Sequence, residues 1–243
     1  MTIVYFSGTG NSKYVAMRFA EKAGNLLYLP DLIQEGRTTI KDDVIGIVSP
    51  TYFWGLPSIV AEFLKNAKLE ADYLFFVSTY GTTPGSISTM AKKLQPSIQA
   101  FYGVQMVDTY TVLFDLSDQK KVDKWTSKTE GQIDGIIKMV KERKIGNFMA
   151  RRTPYLIGML SYHGYDKVRK TSHFHVEDFC IGCSLCARKC PVKAIEMKDG
   201  KPVWVKDRCV MCLGCLHRCP RFAIQYGNKT KKHGQYQNPN AKI

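Results

Sequence analysis

The chain has 243 residues, of which 44% are hydrophobic, enough for one large domain or two smaller ones with a packed core. Its apolar runs are too short to cross a bilayer and it opens without a leader pattern, so we expect a cytoplasmic protein. The net charge of +14 excludes an acidic protein, and the charge is unevenly distributed. Residues 1–117 hold 9 basic and 10 acidic side chains, whereas residues 118–243 hold 26 basic and 11 acidic ones. A basic half of this kind favours acidic partners, nucleic acid or an anionic membrane.

A strand, a small polar loop and a helix open the chain. Residues 2–6 are β-branched and aromatic and predict a buried strand, and residues 13–22 follow a helical pattern. Between them lies S-G-T-G-N-S, whose backbone N–H groups and hydroxyls, at a helix N-terminus, suit a bound phosphate. No lysine completes a Walker pattern, which argues against a nucleoside triphosphate. The spacing is not G-x-G-x-x-G, which disfavours a dinucleotide. A plain turn is the alternative interpretation.

Strand and helix patterns alternate up to residue 146 and predict a parallel sheet with helices on both faces. Further strands are expected near residues 26–29, 44–49, 73–78 and 100–107, and helices near residues 58–67, 86–94 and 119–144.

Two of the expected strand ends run into uncharged, aromatic loops. Residues 49–57 read S-P-T-Y-F-W-G-L-P and residues 79–85 read T-Y-G-T-T-P-G. Ligands in such sheets bind at the carboxyl ends of the strands. Aromatic side chains there suit a flat, neutral ring, although each of them has packing against the following helix as its alternative role.

The order strand, S-G-T-G-N-S, helix, then P-T-Y and T-Y-G at two later strand ends, resembles the flavodoxin family over residues 1–146. The resemblance implies an α/β fold with a doubly wound five-stranded parallel sheet that binds FMN. It implies phosphate binding by Ser7, Thr9, Asn11 and Ser12 and by backbone N–H groups of Gly8 and Gly10. The isoalloxazine would contact the other candidate residues, which are Pro50, Thr51, Tyr52, Phe53, Trp54, Gly55, Thr79, Tyr80 and Gly81.

Neither of the two aromatic loops carries an acidic residue, whereas familiar flavodoxins surround the flavin with them. A negative neighbourhood disfavours the anionic hydroquinone. We therefore expect a hydroquinone couple less negative than that of acidic flavodoxins.

Residues 147–175 form a basic, aromatic connector that includes Arg151 and Arg152. The segment is too apolar for a flexible linker. It is expected to pack between the two halves of the chain, or to offer a contact surface for an acidic redox partner or an anionic membrane.

All eight cysteines lie within residues 180–219, in two runs of C-x-x-C-x-x-C-x-x-x-C-P that are offset by 29 positions. A repeat of this regularity predicts two copies of one unit, each with four thiolates. Zinc also binds C-x-x-C pairs and is the alternative. Iron–sulfur clusters are favoured by three features of the runs: three closely spaced cysteines, a fourth cysteine before a proline, and the duplication of the whole pattern.

The two runs resemble bacterial two-cluster ferredoxins, in which the fourth cysteine of each run ligates the other cluster. The resemblance implies a small α+β domain over residues 176–228 and two 4Fe–4S clusters. One cluster would take Cys180, Cys183, Cys186 and Cys219, and the other Cys209, Cys212, Cys215 and Cys190.

Three further features surround the cysteine runs. Asp199 and Gly200 lie between strand-like segments and predict a hairpin. Lys189, His217 and Arg218 are expected to be solvated. Residues 229–243 are polar and basic and are expected to form a loose tail.

The two halves together resemble flavodoxin–ferredoxin fusion proteins, the EFR-type ferredoxin family. This resemblance implies an electron-transfer protein that relays electrons between two 4Fe–4S clusters and an FMN and couples one- and two-electron partners under anaerobic conditions. No catalytic residue is evident, which favours an electron carrier over an enzyme. The alternative is an FMN-dependent reductase of a small acceptor (a quinone, a nitro compound or a metal ion) fed by its own clusters. Redox proteins with acidic docking surfaces are the expected partners. Nucleic acid is not expected, and contact with a membrane surface is an open alternative that is not expected either.

Overall fold

The computed structural model describes residues 1–21, 24–118, 120, 122–123, 125, 128–150 and 153–241. Its first eight strands are β1 (Thr2–Tyr5), β2 (Asn25–Tyr28), β3 (Thr39–Lys41), β4 (Val44–Pro50), β5 (Lys68–Glu70), β6 (Tyr73–Tyr80), β7 (Ala100–Gln105) and β8 (Gly146–Asn147). Six of them form a parallel sheet in the order β2-β1-β4-β6-β7-β8, and β3 pairs with β5 apart from it. The predicted parallel sheet is confirmed.

Helices cover both faces of this sheet. They are α1 (Asn11–Ala20), α2 (Leu29–Gln34), α3 (Ser58–Asn66), α4 (Ile87–Leu94) and α5 (Thr129–Lys141). Phe63 of α3 and Ile87 of α4 belong to the core on one face, and Val15 of α1 and Ile133 of α5 belong to the core on the other. This is the doubly wound arrangement that the alternating pattern predicts.

The central strands are buried on both sides. In β6, Leu74 and Phe76 belong to the core under α3 and α4, whereas Phe75 and Val77 belong to the core under α1 and α5. Successive side chains of a strand point to opposite faces, so a strand covered on both faces is apolar throughout. This explains the continuous hydrophobic runs in the sequence.

The structure differs from the expectation in two elements near the end of this half. A sixth, two-residue strand, β8, pairs with β7, where five strands were expected. The helix expected over residues 119–144 is present as α5, and Arg143, at a φ of 49°, follows its end. Residues 119, 121, 124, 126 and 127 of that prediction lie outside the described residues.

The connector contains a helix, α6 (Tyr155–Val168), followed by a single 3-10 turn over Thr171–His173. Tyr165 of this helix is 2% exposed and packs with the C-terminal core. Its hydroxyl lies 3.4 Å from the backbone N–H of Ser58, which belongs to the N-terminal half. Arg151 and Arg152 lie outside the described residues.

The C-terminal part is built from two short antiparallel pairs and three short helices. Its elements are β9 (Phe174–Val176), α7 (Leu185–Arg188), β10 (Ile195–Lys198), β11 (Lys201–Trp204), α8 (Gly214–Arg218), β12 (Ile224–Tyr226) and α9 (Thr230–His233). β10 pairs with β11 and β9 with β12. The expected hairpin is present, since Asp199 and Gly200 both have positive φ values between β10 and β11.

The sequence repeat is also a repeat of backbone conformation. Ser184 and Leu213, 29 positions apart, have φ values of 59° and 55° before α7 and α8. Lys193 and Phe222, again 29 apart, have φ values of 49° and 51°. The two cysteine runs therefore share one fold.

Residues 229–241 of the tail differ from the loose segment that composition predicts over residues 229–243, and residues 242 and 243 lie outside the described residues. Tyr236, Asn238 and Ala241 are buried, and Tyr236 packs with Val107 and Leu116 of the N-terminal half. The backbone N–H of Leu116 also donates to the C=O of His233 at 2.7 Å. The tail thus lies against the sheet domain, a tertiary contact that composition does not reveal. None of the described helices is long and apolar enough to cross a membrane.

Candidate functional site

A cavity of about 330 Å³ lies at the carboxyl ends of β1, β4, β6 and β7. Thirteen of the fifteen residues that the sequence assigns to a flavin site line it, and Gly10 and Gly55 do not. The structure thus brings the S-G-T-G-N-S loop and both aromatic loops together at one edge of the sheet.

The loop before α1 has the local structure of an anion site. Gly10 adopts a φ of 100°, and its N–H donates to Ser7 Oγ at 3.0 Å. The first helical hydrogen bond runs from the Tyr14 N–H to the Gly10 C=O at 2.8 Å. The N–H groups of Asn11 and Ser12 thus stand at the start of the helix, a position that suits an anion.

Side-chain hydrogen bonds fix this loop to its neighbours. Ser12 Oγ and Thr79 Oγ1 lie 2.8 Å apart, so the hydroxyls tie α1 to the end of β6. Asn11 Nδ2 donates to the C=O of Val107 at 3.2 Å. The amide of Asn11 is therefore already oriented by the protein, in addition to lining the cavity.

The first aromatic loop is a tight turn. Tyr52 and Gly55 exchange two backbone hydrogen bonds of 2.9 Å, and the central residues Phe53 and Trp54 have φ values of 48° and 64°. Left-handed backbone at two bulky residues costs free energy and is typical of functional sites. A Cβ at Gly55 would lie 2.5 Å from the Tyr162 ring, so glycine allows α6 to pack against the turn.

The aromatic side chains of the turn make protein contacts as well as lining the cavity. Phe53 stacks on Tyr165 with ring centroids 5.7 Å apart and meets Tyr110 edge-on at 5.4 Å. Tyr52 packs between Phe6 and Tyr165 at 6.3 and 6.2 Å. Both rings therefore pack against Tyr165 of α6, which is not the following helix of the alternative interpretation, and their contact with a flavin ring stays a prediction.

Asp108 is a cavity residue that the sequence reasoning missed. It follows β7 and lines the cavity, and its Oδ1 accepts the Tyr110 N–H at 3.1 Å. Burial raises the pKa of its carboxyl group. A Cβ at Gly81 would overlap the Asp108 side chain, so glycine permits the close approach. The pocket is therefore not free of acidic groups, and the rule that ligands meet strand ends would have pointed to this third loop.

The first cysteine set, Cys180, Cys183, Cys186 and Cys219, lines one small cavity in the C-terminal part. This is the grouping that the resemblance to two-cluster ferredoxins implies. Burial raises the pKa of Cys186 to about 11, and the nearby Cys183 and Cys219 raise it as well.

In the second set, Cys190, Cys209, Cys212 and Cys215 are all half-buried, whereas Cys183 of the first set is exposed. Burial raises the pKa of Cys215 well above its ordinary value, and the proximity of the other three thiols adds to the shift. Burial also raises the pKa of Cys209 and of Cys212, and a metal group that takes these thiols as thiolates would offset the cost of ionising them. None of the eight cysteines forms a disulfide.

Backbone N–H groups point at the cysteine sulfurs in both sets. The N–H of Ala194 lies 3.2 Å from Cys190 Sγ, and the N–H of Ala223 lies 3.2 Å from Cys219 Sγ. Such N–H···S bonds are typical of iron–sulfur sites and tune their potentials. The cysteine sulfurs and N–H donors of this chain therefore fit two iron–sulfur clusters.

The second set adjoins the large cavity. Met211, Cys212 and Leu213 form part of its wall, and a Cβ at Gly8 would lie 2.5 Å from the Cys212 C=O. The S-G-T-G-N-S loop and the second cysteine run are thus in direct contact. Long-range packing of this kind leaves no signal in the spacing of the cysteines.

His217 and Arg218 are buried, which corrects the expectation that they are solvated. His217 Nδ1 accepts the Tyr236 N–H at 3.1 Å, so Nε2 carries the proton and donates to the Thr109 C=O at 2.9 Å. Burial lowers the pKa of His217 to about 4 and keeps the ring neutral. The guanidinium of Arg218 opposes the raised pKa of the neighbouring Cys212. Lys189, by contrast, is exposed as expected.

The first set lies near solvent. Cys183 is exposed, and its neighbours Ile181 and Phe179 are 60% and 44% exposed. The two sets therefore differ in surroundings, one at the surface and one against the cavity.

The family model of the flavodoxin domain matches residues 2–134, more than half of the chain. The chain belongs to the flavodoxin domain family. In this flavodoxin-family chain, the model of the 4Fe-4S dicluster domain matches residues 179–224, which favours iron–sulfur over zinc. The predicted fusion of a flavodoxin and a ferredoxin domain is thereby confirmed.

Two solved structures are similar to this flavodoxin-family chain. The Trp repressor binding protein from Bacillus subtilis is 13% identical, with a TM-score of 0.29 over 44% of this chain and 84% of that one. A candidate flavoprotein from Bacteroides eggerthii is 20% identical, with a TM-score of 0.31 over 53% of this chain and 96% of that one. No curated protein matches the chain.

Proposed function

We propose that the chain is an electron-transfer protein that binds FMN in the cavity and one 4Fe–4S cluster on each cysteine set. It would couple one- and two-electron redox partners under anaerobic conditions. FMN supplies one- or two-electron chemistry and each cluster supplies one-electron chemistry. The matches to the flavodoxin domain and to the 4Fe-4S dicluster domain support this assignment.

The observation that carries the proposal is the wall shared by the two kinds of site. Cys212 belongs to the second cysteine set and also lines the flavin cavity. Gly8, in the phosphate loop, packs against the backbone of the same residue. A chain that only stored two unrelated cofactors would not need this contact.

The residues around the cavity have binding and orienting roles in this proposal. The loop of residues 7–12 binds the phosphate, and the turn around Phe53 and Trp54 orients the ring. Asp108 would place its carboxyl group near the flavin ring. Tyr52, which is half-buried between the cavity and Cys212, would limit the access of water to the second cysteine set.

The surface around Cys183 is the proposed docking site for a redox partner with an acidic surface. Ile181 and Phe179 offer apolar contacts there, and Arg188 and Lys189 add exposed positive charge. With an acidic two-cluster ferredoxin as the probe, the rate of electron exchange should fall as ionic strength rises. A rate that does not change with salt would argue against an acidic partner at this surface.

Anaerobic purification followed by iron, sulfide and flavin assays tests the proposed function. The proposal predicts about eight irons and about one FMN per chain. A chain that retains zinc in place of iron, or that binds no flavin, would contradict it.

A small-acceptor reductase is the second candidate. Leu113 and Phe114, which are 68% and 36% exposed, line the cavity and give it an apolar opening. Reduction of a quinone or nitro compound at a rate independent of any added protein partner would favour this candidate over a carrier.

A further inference from the structure

The tail covers one side of the phosphate loop. The N–H of Asn238 donates to the C=O of Thr9 at 2.8 Å, and Asn238 Nδ2 donates to Asn11 Oδ1 at 3.0 Å. The hydroxyl of Tyr236 donates to the same Asn11 oxygen at 2.8 Å. Asn11, Tyr236 and Asn238 are all buried, so these bonds are shielded from water.

Direct packing accompanies the hydrogen bonds. A Cβ at Gly10 would lie 2.6 Å from the Ala241 C=O and 2.9 Å from the Asn238 Cβ. Gly10 also needs its φ of 100°, so any other residue there is disfavoured twice. The loop and the tail are therefore fitted to each other.

The opposite side of the tail is held by the second cysteine run. Gln235 Nε2 donates to the C=O groups of Leu216 and Cys219, at 2.6 and 2.8 Å. Tyr236 donates its N–H to His217, and Gln237 Nε2 donates to the His217 C=O at 3.2 Å. The tail thus joins the ferredoxin-like part to the phosphate loop.

We infer that the tail is a clasp that holds the phosphate loop in its binding conformation, with Tyr236 and Asn238 as positioning residues for the FMN phosphate. The inference rests on the proposed function, because it concerns the retention of FMN. Asn11 is held by two bonds from the tail and one to Val107, so the loop beside it is fixed before a ligand arrives. A site that is ordered in advance binds more tightly, because ordering no longer costs free energy on binding.

Titration of the flavin-free, cluster-loaded chain with FMN and with riboflavin, followed by flavin fluorescence, tests the clasp. Riboflavin lacks the phosphate. In the double variant Tyr236→Phe/Asn238→Ala, the Kd for FMN should rise about tenfold, since two hydrogen bonds to the loop are lost, while the Kd for riboflavin stays near its wild-type value. Tyr73→Phe is the matched control, because it removes a buried tyrosine hydroxyl at the amino-terminal end of β6.

If the double variant does not fold, the single variant Tyr236→Phe replaces it, because it loses only a hydroxyl. Its Kd for FMN should rise by less than that of the double variant. Amide hydrogen exchange of residues 7–13 in the flavin-free chain should be faster in either variant, and it decides the matter if riboflavin binds too weakly to measure. An equal rise in the Kd values for FMN and riboflavin, or an unchanged Kd for FMN, overturns the clasp but not the proposed function. A wild-type chain that binds no FMN overturns the proposed function and the clasp with it.

Discussion

Among the described residues that line the cavity, Asp108 is the only one with a carboxylate. Its position after β7 brings an ionisable carboxyl group to a pocket whose other two loops are uncharged, although burial raises the pKa of that group. The expected shift of the hydroquinone couple toward less negative values is therefore opposed by one residue, and the balance is open to a direct test.

Substitution of Asp108 by Asn should make the second reduction potential of the bound flavin less negative. Removal of the carboxylate favours the anionic reduced ring, and one partly screened charge gives a shift on the order of tens of millivolts. A redox titration of the FMN-loaded variant measures it. Asp72→Asn, an exposed change just before β6, is the control and should leave the potential unchanged. A more negative potential in Asp108→Asn would contradict the role of this residue.

Gly8 is the residue that sets how closely the two halves approach. Gly8→Ala places a Cβ 2.5 Å from the Cys212 C=O, so we expect the free energy of unfolding to fall by about 1–3 kcal/mol. Gly164→Ala is the matched control, because no atom lies within 4 Å of its Cβ and the helix gains roughly 0.5–1 kcal/mol. Anaerobic urea denaturation of both variants gives the comparison. Equal effects of the same sign would show that the contact at Gly8 is not tight.

At the scale of elements, α6 is the strut between the halves. Tyr162 donates its hydroxyl to the Leu56 C=O at 2.7 Å, and Tyr165 donates to the Val210 C=O at 2.6 Å. The same helix therefore contacts both the loop after β4 and the second cysteine run. The connector is a structural element, which agrees with its apolar composition.

Removal of the Tyr165 hydroxyl should weaken this strut. Tyr165→Phe leaves the Val210 C=O buried without its donor, and the free energy of unfolding should fall by about 1–3 kcal/mol. Tyr155→Phe, at the half-buried first residue of the same helix, should lower the free energy of unfolding much less. Urea denaturation followed by both flavin and cluster absorbance measures the loss. A Tyr165→Phe variant as stable as Tyr155→Phe would show that the bond does not hold the halves together.

The sequence predicts these elements well where local pattern determines them. The positions of the main strands follow from the apolar runs, and the hairpin follows from Asp199 and Gly200 because few other residues adopt two positive φ values in succession. It does not predict β8, because a two-residue strand has no periodicity. The burial of His217 and of Tyr236 depends on contacts 19 or more positions away, and no local pattern records such contacts.

At the scale of the whole molecule, packing breaks the symmetry of the repeat. Cys183 and Cys212 are equivalent positions, 29 residues apart. The first is exposed and the second lines the large cavity. Two runs that look interchangeable in the sequence thus have different neighbours, and their order from surface to cavity follows from the fold alone.

EPR power saturation of the flavin radical in the FMN- and cluster-loaded chain tests this order most directly, because a nearby paramagnetic cluster speeds the relaxation of the radical. The account predicts that Cys212→Ser, which disturbs the set against the cavity, makes the radical saturate at clearly lower microwave power. The equivalent change at the exposed position, Cys183→Ser, should leave saturation near the wild-type value. Equal effects of the two substitutions, or a larger effect of Cys183→Ser, would contradict the claim that the second cysteine set lies beside the flavin.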